Sequence, residues 1–469
     1  MSQSIIIQVG QCGNQIGCCF WDLVLREHAA INKDANFDEA LNSFFCNVDC
    51  KGKNIKLGKE RNKIVNLKAR CVLVDMEEGV INQLLKGSTA DVFDCKQLLT
   101  SQSGSGNNWA VGYKFYGNKY KDNLRELIRK AVEKCDYLQT FFIILSMGGG
   151  TGSGIGTFLL SMLADDYPDV YRFVIPVFPS CDDDVITSPY NSVLAMHPLT
   201  QFADCVFPVD NEALLEICNR IASATDKLKS CSGSTSVRSS IADSSRLHKI
   251  KPFDQMNNIV ANLMLNLTSS SRFQGSLNVD LNEITTNLVP FPRLHYITSS
   301  LAPIYGLMDV GIPLRTIDNT FTEAFSRNSR LLSFDPDVGT YLASAVLLRG
   351  NICYSDLRRN IDKIKSKLRF ASWNQEAWKV GLCSVPPVGH PYSVLTLSNN
   401  TNFASILKDL QLRFDLLYKK RAHLHHYLNV DGMTVDDFDA SMSSLTDLIA
   451  EYKQVAGSGN VLPQFEVIM

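Results

Sequence analysis

Apolar positions along this chain fall into short unbroken runs. Each run ends in a turn of glycine, asparagine or acidic residues, and a stretch with helical spacing follows. The clearest run is Phe141-Phe142-Ile143-Ile144-Leu145-Ser146. Apolar at nearly every position, it reads as a strand buried on both faces. It opens into Gly148-Gly149-Gly150-Thr151-Gly152-Ser153-Gly154. Ile155, Phe158, Leu159, Met162 and Leu163 then recur at helical intervals up to Asp166, and Pro168 marks the end. The arrangement repeats. Ser4 to Val9 precedes Gly10-Gln11-Cys12-Gly13 and a helix from about Asn14 to Ala30. Cys71 to Val74 precedes Asp75-Met76-Glu77-Glu78-Gly79. Tyr171 to Phe178 precedes Ser180-Cys181-Asp182-Asp183-Asp184, and Asp204 to Asp210 precedes Asn211-Glu212. Strand, turn and helix in alternation predict an α/β fold with a parallel sheet covered by helices. Ligands of such sheets lie outside the carboxyl ends of the strands, where all these turns fall.

Beyond residue 250 the pattern changes. One long helix is expected from about Pro252 to Ser271, a mixed pattern from Val289 to about Leu397, and two amphipathic helices from Leu416 to Leu428 and from Val435 to Tyr452. Lys227 to Lys251 is rich in serine and reads as a flexible insertion. Residues 31–66 read as irregular, with a basic surface segment from Lys51 to Lys63.

The chemistry sits in the turns. In the glycine loop, near-absent side chains let backbone N–H groups approach an anion, and the following helix start adds about half a positive charge. Thr151 and Ser153 add hydroxyls. The loop has neither the Lys of a Walker motif nor the GxGxxG spacing, which disfavours a dinucleotide-dependent oxidoreductase. The Gln11 amide can meet a phosphate oxygen or cap its helix. The carboxylates just past the strand from Cys71 to Val74, namely Asp75, Glu77 and Glu78, can hold Mg²⁺ through water or cap the next helix. Asn211 can read a base edge or cap. Phe253 and Asn257, four apart on one helical face, can stack on and pair with a purine, or simply pack. Asp280 and Glu283 also share a helical face, either to position a water or to cap.

The heptapeptide GGGTGSG resembles the signature of the tubulin family, and the likeness extends from Ser4 to Tyr452. The resemblance implies a tubulin/FtsZ-like architecture. A parallel-sheet GTP-binding domain would span 1–251, with the insertion at about 227–251. A central helix would span 252–272, an α+β intermediate domain 273–400, and a C-terminal helical region 401–469. It implies GTP or GDP with Mg²⁺ as cofactors. The segment holding Gln11 and Cys12 would lie under the phosphates, and Ser103 to Trp109, with Gly106 and Asn107, would cover the terminal phosphate. Ser146, Gly149, Gly150, Thr151 and Gly152 would grip the phosphates, and Glu77 would lie beside the metal. Asn211 would read guanine, with Phe253 and Asn257 stacking on it and pairing with it. The loop Gly275 to Glu283 would press on the nucleotide of the next subunit, where Glu283 and Asp280 would promote hydrolysis. Several positions depart from the family. Ser188 stands where most members carry Glu near the ribose, a role the neighbouring run ending in Asp184 is expected to share. Phe253 replaces Tyr, Ser105 replaces Ala, and His426 lies where Trp is usual.

Within the family the Ser-rich insertion, Ser188, Asp75-Met76-Glu77-Glu78-Gly79, Lys419-Lys420-Arg421-Ala422-His423-Leu424-His425-His426 and an end carrying one acid, Glu466, after Gly457, are most similar to the epsilon branch. That implies a cytoplasmic, cytoskeletal protein of centrioles or basal bodies and centrosomes that supports doublet or triplet microtubules. Its partners would be delta-tubulin, alpha- or beta-tubulin, and centriolar proteins. It would be either a GTPase completed by subunit contact, or a non-hydrolysing GTP-bound adaptor or cap.

Composition narrows this little. At 469 residues the chain has room for two or three domains. A net charge of −2 favours neither nucleic acid nor a membrane surface as partner, and no apolar run is long enough to span a bilayer. The 14 Cys lack CxxC pairs, Cys46 and Cys50 being the nearest to one, and read as reduced thiols. His423 and His426 form a candidate metal pair whose bland alternative is a solvated face.

Overall fold

The computed structural model describes residues 2–49, 54–55, 63–180, 183–231, 252–304, 316–335 and 338–457. Most of the Ser-rich insertion (232–251), much of the basic segment (51–53 and 56–62), Cys50, Asp182 and the end of the chain (458–469) lie outside them. The strands are β1 (Gln3–Val9), β2 (Phe45–Asn47), β3 (Leu67–Ala69), β4 (Cys71–Asp75), β5 (Leu98–Thr100), β6 (Leu138–Ser146), β7 (Tyr171–Phe178), β8 (Cys205–Val206), β9 (Val209–Asp210), β10 (Thr298–Ala302), β11 (Tyr341–Gly350), β12 (Trp378–Cys383) and β13 (Tyr392–Asn400).

The principal sheet has the order β5-β4-β1-β6-β7-β8, with β9 also on β7, and every pairing is parallel. Its central strands are apolar at successive positions because both faces are covered. Ile5, Ile7, Val74 and Ile143 pack beneath the helices Gly156–Asp166, Ser188–Phe202, Phe403–Tyr418 and Val435–Gly457. Ile6, Leu73, Phe142 and Ile144 face the helices Gly10–Ile31 and Pro252–Leu267 and the second sheet. That sheet, β10-β13-β11-β12, is mixed: β13 runs antiparallel to both neighbours, while β11 and β12 are parallel. This is the expected tubulin/FtsZ-like α/β class. No helix among the described residues is long and apolar enough to cross a membrane.

Four expected elements differ. The single strand expected from Asp204 to Asp210 is two short ones, because Pro208 has no N–H to donate to the ladder. The long helix stops at Leu267. The Thr268 hydroxyl there donates back to Met264 O at 2.8 Å, and the following serines form only a separate turn, Ser269–Arg272. The first amphipathic helix lies earlier, at Phe403–Tyr418; Arg421 and His423, at φ of 50° and 58°, break it, leaving only His425–Leu428. Residues 31–66 are less irregular than their composition implies, holding the helix Glu39–Asn42 and the strand β2, which pairs with β3.

A buried ion cluster joins the helix Gly10–Ile31 to the second sheet. Arg272 Nη1 lies 2.6 Å from Glu27 Oε2, and Arg349 Nη1, on β11, lies 2.8 Å from Glu27 Oε1. Burial pushes the Glu27 carboxyl up, but the two guanidiniums outweigh it and hold the group below the usual range.

Candidate functional site

The carboxyl ends of β1, β4, β6 and β7 open into a cavity of about 750 Å³, within the range of small-molecule sites. Gln11, Cys12, Glu77, Gly106, Asn107, Ser146, Gly149, Gly150, Thr151, Gly152, Asn211, Phe253 and Asn257 all line it. Asp184 does not. It is exposed, and the neighbouring Asp183 takes the lining position, its carboxylate directed at the Gly148 turn. Ser188 is buried at the start of its helix and is likewise absent from the wall. Asp75, one of the carboxylates past the strand end, and Gln15, within the segment of Gln11 and Cys12, also line the cavity, as do Cys19 and Asp254, which sequence reasoning passed over. The helical spacing of Cys12, Gln15 and Cys19 from Gly10 onward was the available signal.

The loops are fixed by backbone contacts that only small residues allow. A Cβ on Gly152 would sit 2.7 Å from Ser146 O and 2.8 Å from Ser146 N, so the glycine loop folds tightly onto the end of β6. Gly106 and Asn107 both have left-handed backbone, at φ of 56° and 52°. Ser105 Oγ lies 2.7 Å from Thr151 Oγ1, which ties the loop Ser103 to Trp109 to the glycine loop. Each loop runs into a π-helical turn, Val111–Tyr116 and Thr151–Ile155, and the two turns pack together at Gly112 and Gly154.

Asn191 is the joint of this assembly. Its Nδ2 donates to Asn107 O and Gly148 O, both at 2.8 Å, while its Oδ1 accepts from Trp109 N at 2.9 Å and from Tyr427 OH at 2.6 Å. The residue is fully buried and acts by positioning the loops.

The aromatic Phe253 is 60% exposed although it faces the cavity, an apolar surface placed to be covered by a flat ligand. Burial pushes the Asp75 carboxyl up to about 6, and its Oδ2 is buried and accepts no hydrogen bond. A buried carboxylate oxygen with no donor, beside Glu77 in the same wall, is a donor set that suits a hard cation such as Mg²⁺. Burial also pushes the Cys12 thiol up to about 12, so the group it presents to the cavity is neutral. Among the described residues no cluster of at least three His, Cys, Asp or Glu forms a metal cage, so His423 and His426, with ring centroids 6.0 Å apart, have no third ligand.

Asp280 and Glu283 are elsewhere. Asp280 caps the helix Leu281–Leu288: its Oδ1 accepts from Leu281 N at 2.8 Å, and its Oδ2 accepts from Gln139 Nε2 at 2.6 Å. Gln139 is the second residue of β6 and Ser146 ends it at the cavity, so about 23 Å of strand separates them. Tyr171 OH, at the start of β7, likewise donates to Asn282 Oδ1 at 2.5 Å. Glu283 is half-buried and ion-paired with Lys379.

Residues 3–219 match the Tubulin/FtsZ family, GTPase domain, and residues 292–411 match the Tubulin C-terminal domain. The chain is 56% identical to the tubulin epsilon chain of Homo sapiens, with all of both chains covered, and 57% identical to that of Mus musculus, covering 97% of this chain and 96% of the relative. It is 34% identical to the tubulin beta-2 chain of Suillus bovinus, again over 97% and 96%. A GTPase-type cavity at the carboxyl ends of a parallel sheet, a mixed second sheet and similarity along the whole length agree: the chain belongs to the tubulin family, as an epsilon-like member with a guanine-nucleotide-binding GTPase domain.

Proposed function

We propose that this protein is a GTP-binding cytoskeletal subunit of centrioles and basal bodies that supports doublet or triplet microtubules, and that it completes hydrolysis in a neighbouring subunit. In this reading the two glycine-rich loops take the phosphates, Phe253 stacks on guanine, and Asn211 and Asn257 pair with its edge. Asp75 and Glu77 would hold Mg²⁺, which would neutralise phosphate charge. Glu283 would orient the water that attacks the γ-phosphate across the subunit contact; the bond from the γ-phosphorus to the β–γ bridging oxygen breaks, GDP leaves, and the water's proton passes to solvent. The partner is another tubulin, delta-tubulin or an alpha- or beta-tubulin.

The observation that carries the reading is the separation along β6. A carboxylate tethered at one end of the strand cannot reach a ligand at the other, so any role for it in hydrolysis lies between molecules. A second reading, a non-hydrolysing adaptor or cap at centriolar microtubules, is favoured by the Glu283–Lys379 ion pair and by the full engagement of Asp280.

Two measurements test these readings together. Nucleotide extracted from the purified protein should be GTP or GDP by mass spectrometry. Phosphate release should be slow alone and rise when a tubulin partner is added. An empty protein indifferent to GTP overturns both readings; bound GTP that never turns over, with or without partner, selects the adaptor.

A further inference from the structure

The helix Pro252–Leu267 turns a graded surface toward the cavity. Successive residues advance about 100° around a helix, so Asn257 lies about 40° and Asp254 about 100° to one side of Phe253. Met256 and Val260 fall on the other side. All five line the cavity. The order around the helix is therefore apolar side chains, an aromatic ring, an amide and a carboxylate. Met256, Asn257 and Val260 are buried, whereas Phe253 and Asp254 are exposed. Ile16 and Cys19 line the neighbouring wall from the helix Gly10–Ile31. Burial, then the charges at Cys18 and Asp254, push the Cys19 thiol up to about 12, so the Asp254 carboxylate is felt at that wall.

Among the described residues four carboxylates line the cavity, Asp75, Glu77, Asp183 and Asp254, and no Lys or Arg does. A carboxylate in such a wall repels a polyphosphate unless a cation or a hydrogen-bond donor meets it. Asp75 and Glu77 suit a cation. Asp183 is directed at the Gly148 turn, its Oδ2 3.0 Å from where a Cβ on Gly148 would lie. Asp254 stands apart from both, on the helix that carries the aromatic ring and the amide of the base end.

We propose that Asp254 is a specificity-determining residue of the cavity, its carboxylate accepting the N1–H and N2–H donors of guanine together. The assignment rests on the guanine-nucleotide reading. Guanine presents those two donors side by side, and the two oxygens of a carboxylate match them as a bidentate, charge-assisted acceptor. Adenine offers an N1 lone pair at the same place, which meets the carboxylate with no proton between them. The amides of Asn211 and Asn257 each carry both donors and an acceptor, whereas an ionised carboxylate only accepts. With Asp254 on the donor edge, the amides are left to O6 and the ring nitrogens.

The test measures how well unlabelled nucleotides compete with a ribose-labelled fluorescent GTP for the full chain in Mg²⁺. The wild type should bind GTP about tenfold or more tighter than inosine triphosphate, which lacks only the N2 amino group, and about a hundredfold tighter than ATP. Asp254→Asn should lose about tenfold or more for GTP. It should come to prefer xanthosine triphosphate, whose C2 carbonyl accepts from the new amide while N1–H still donates to it. That gain also shows the variant to be folded, and the GTP-to-inosine ratio needs no variant. Equal wild-type affinity for GTP and inosine triphosphate, or an Asp254→Asn variant that still prefers GTP to xanthosine triphosphate, overturns the assignment. Asp254 would then be only a favourable acid in the first turn of its helix. A wild-type protein that takes neither GTP nor GDP overturns the functional reading instead.

Discussion

At the carboxyl ends of β1, β4, β6 and β7 the chain builds a complete pocket: loops tied to one another, an exposed aromatic and an unpartnered carboxylate oxygen. At the amino ends of β6 and β7 it builds a capped helix that holds Glu283 half-buried against Lys379, a strand's length from the cavity. The same strands supply both ends. Parallel strands put every carboxyl end on one side, so dipoles, glycine turns and ligand collect there, and the opposite side is left to stability or to a neighbour. One end can therefore be altered without the other, and mutation can test that independence.

The largest expected effect is at the far end. Glu283→Ala should lower partner-stimulated phosphate release by about a hundredfold or more, the usual contribution of a positioned proton-accepting group, while the nucleotide content of the purified protein stays as in the wild type. Turnover that persists at the wild-type rate removes Glu283 from the reaction. At the near end, Gly152→Val drives a branched side chain into the Ser146 backbone 2.7 Å away. Overpacking of up to about 3 kcal/mol predicts a loss of about a hundredfold in affinity for a fluorescent GTP analogue. If affinity holds, the glycine loop is not the phosphate cradle.

Smaller still is the effect of Phe253→Ala. The lost stacking, about 1 kcal/mol, should weaken binding by roughly fivefold to tenfold, whereas Phe253→Tyr should be near neutral. Equal binding by the Ala variant would mean that Phe253 only edges the cavity.

The near end was far more legible in the sequence than the far end. Unbroken apolar runs, each closed by a glycine or acidic turn, gave the principal sheet and put the candidate residues on one side of it, because local chain statistics decide where a buried strand stops. What the sequence hid was long-range. Asp75 read as part of a strand ending, yet burial makes it an acid of shifted affinity. Asn191, just past Ser188, is marked by no spacing or motif of its own, yet it is the buried joint of several loops. Asp184 and Asp183 are indistinguishable by composition; the turn before the helix Ser188–Phe202 decides which one faces inward. The break at Arg421 and His423 was missed because left-handed backbone at non-glycine residues is imposed by the contacts of Ala422 and His426 with Tyr190 and Asn108. The Glu283–Lys379 pair joins residues far apart in sequence, which no spacing rule reaches.

The gentlest test of the contrast uses pH at the near end. In the empty protein the Asp75 carboxyl is pushed up by burial to about 6, above its ordinary 3.8. The folded chain therefore takes up a proton near pH 6, whereas the unfolded chain does so only near pH 4. Charged Asp75 opposes folding at neutral pH, and that opposition fades as pH falls through 6. A cation must displace the same proton, so its binding runs the other way. Mg²⁺-dependent tightening of GTP binding should weaken about fourfold between pH 7.5 and 5.5, the fraction still ionised at the lower pH being about one quarter. Asp75→Asn should flatten that profile and raise the melting temperature of the empty protein at pH 8. The Glu283→Ala variant should keep the wild-type profile, since its helix lies a strand's length away. A profile unchanged in Asp75→Asn would leave Glu77 as the cation's carboxylate, and a profile altered in Glu283→Ala would show that the two ends are not independent.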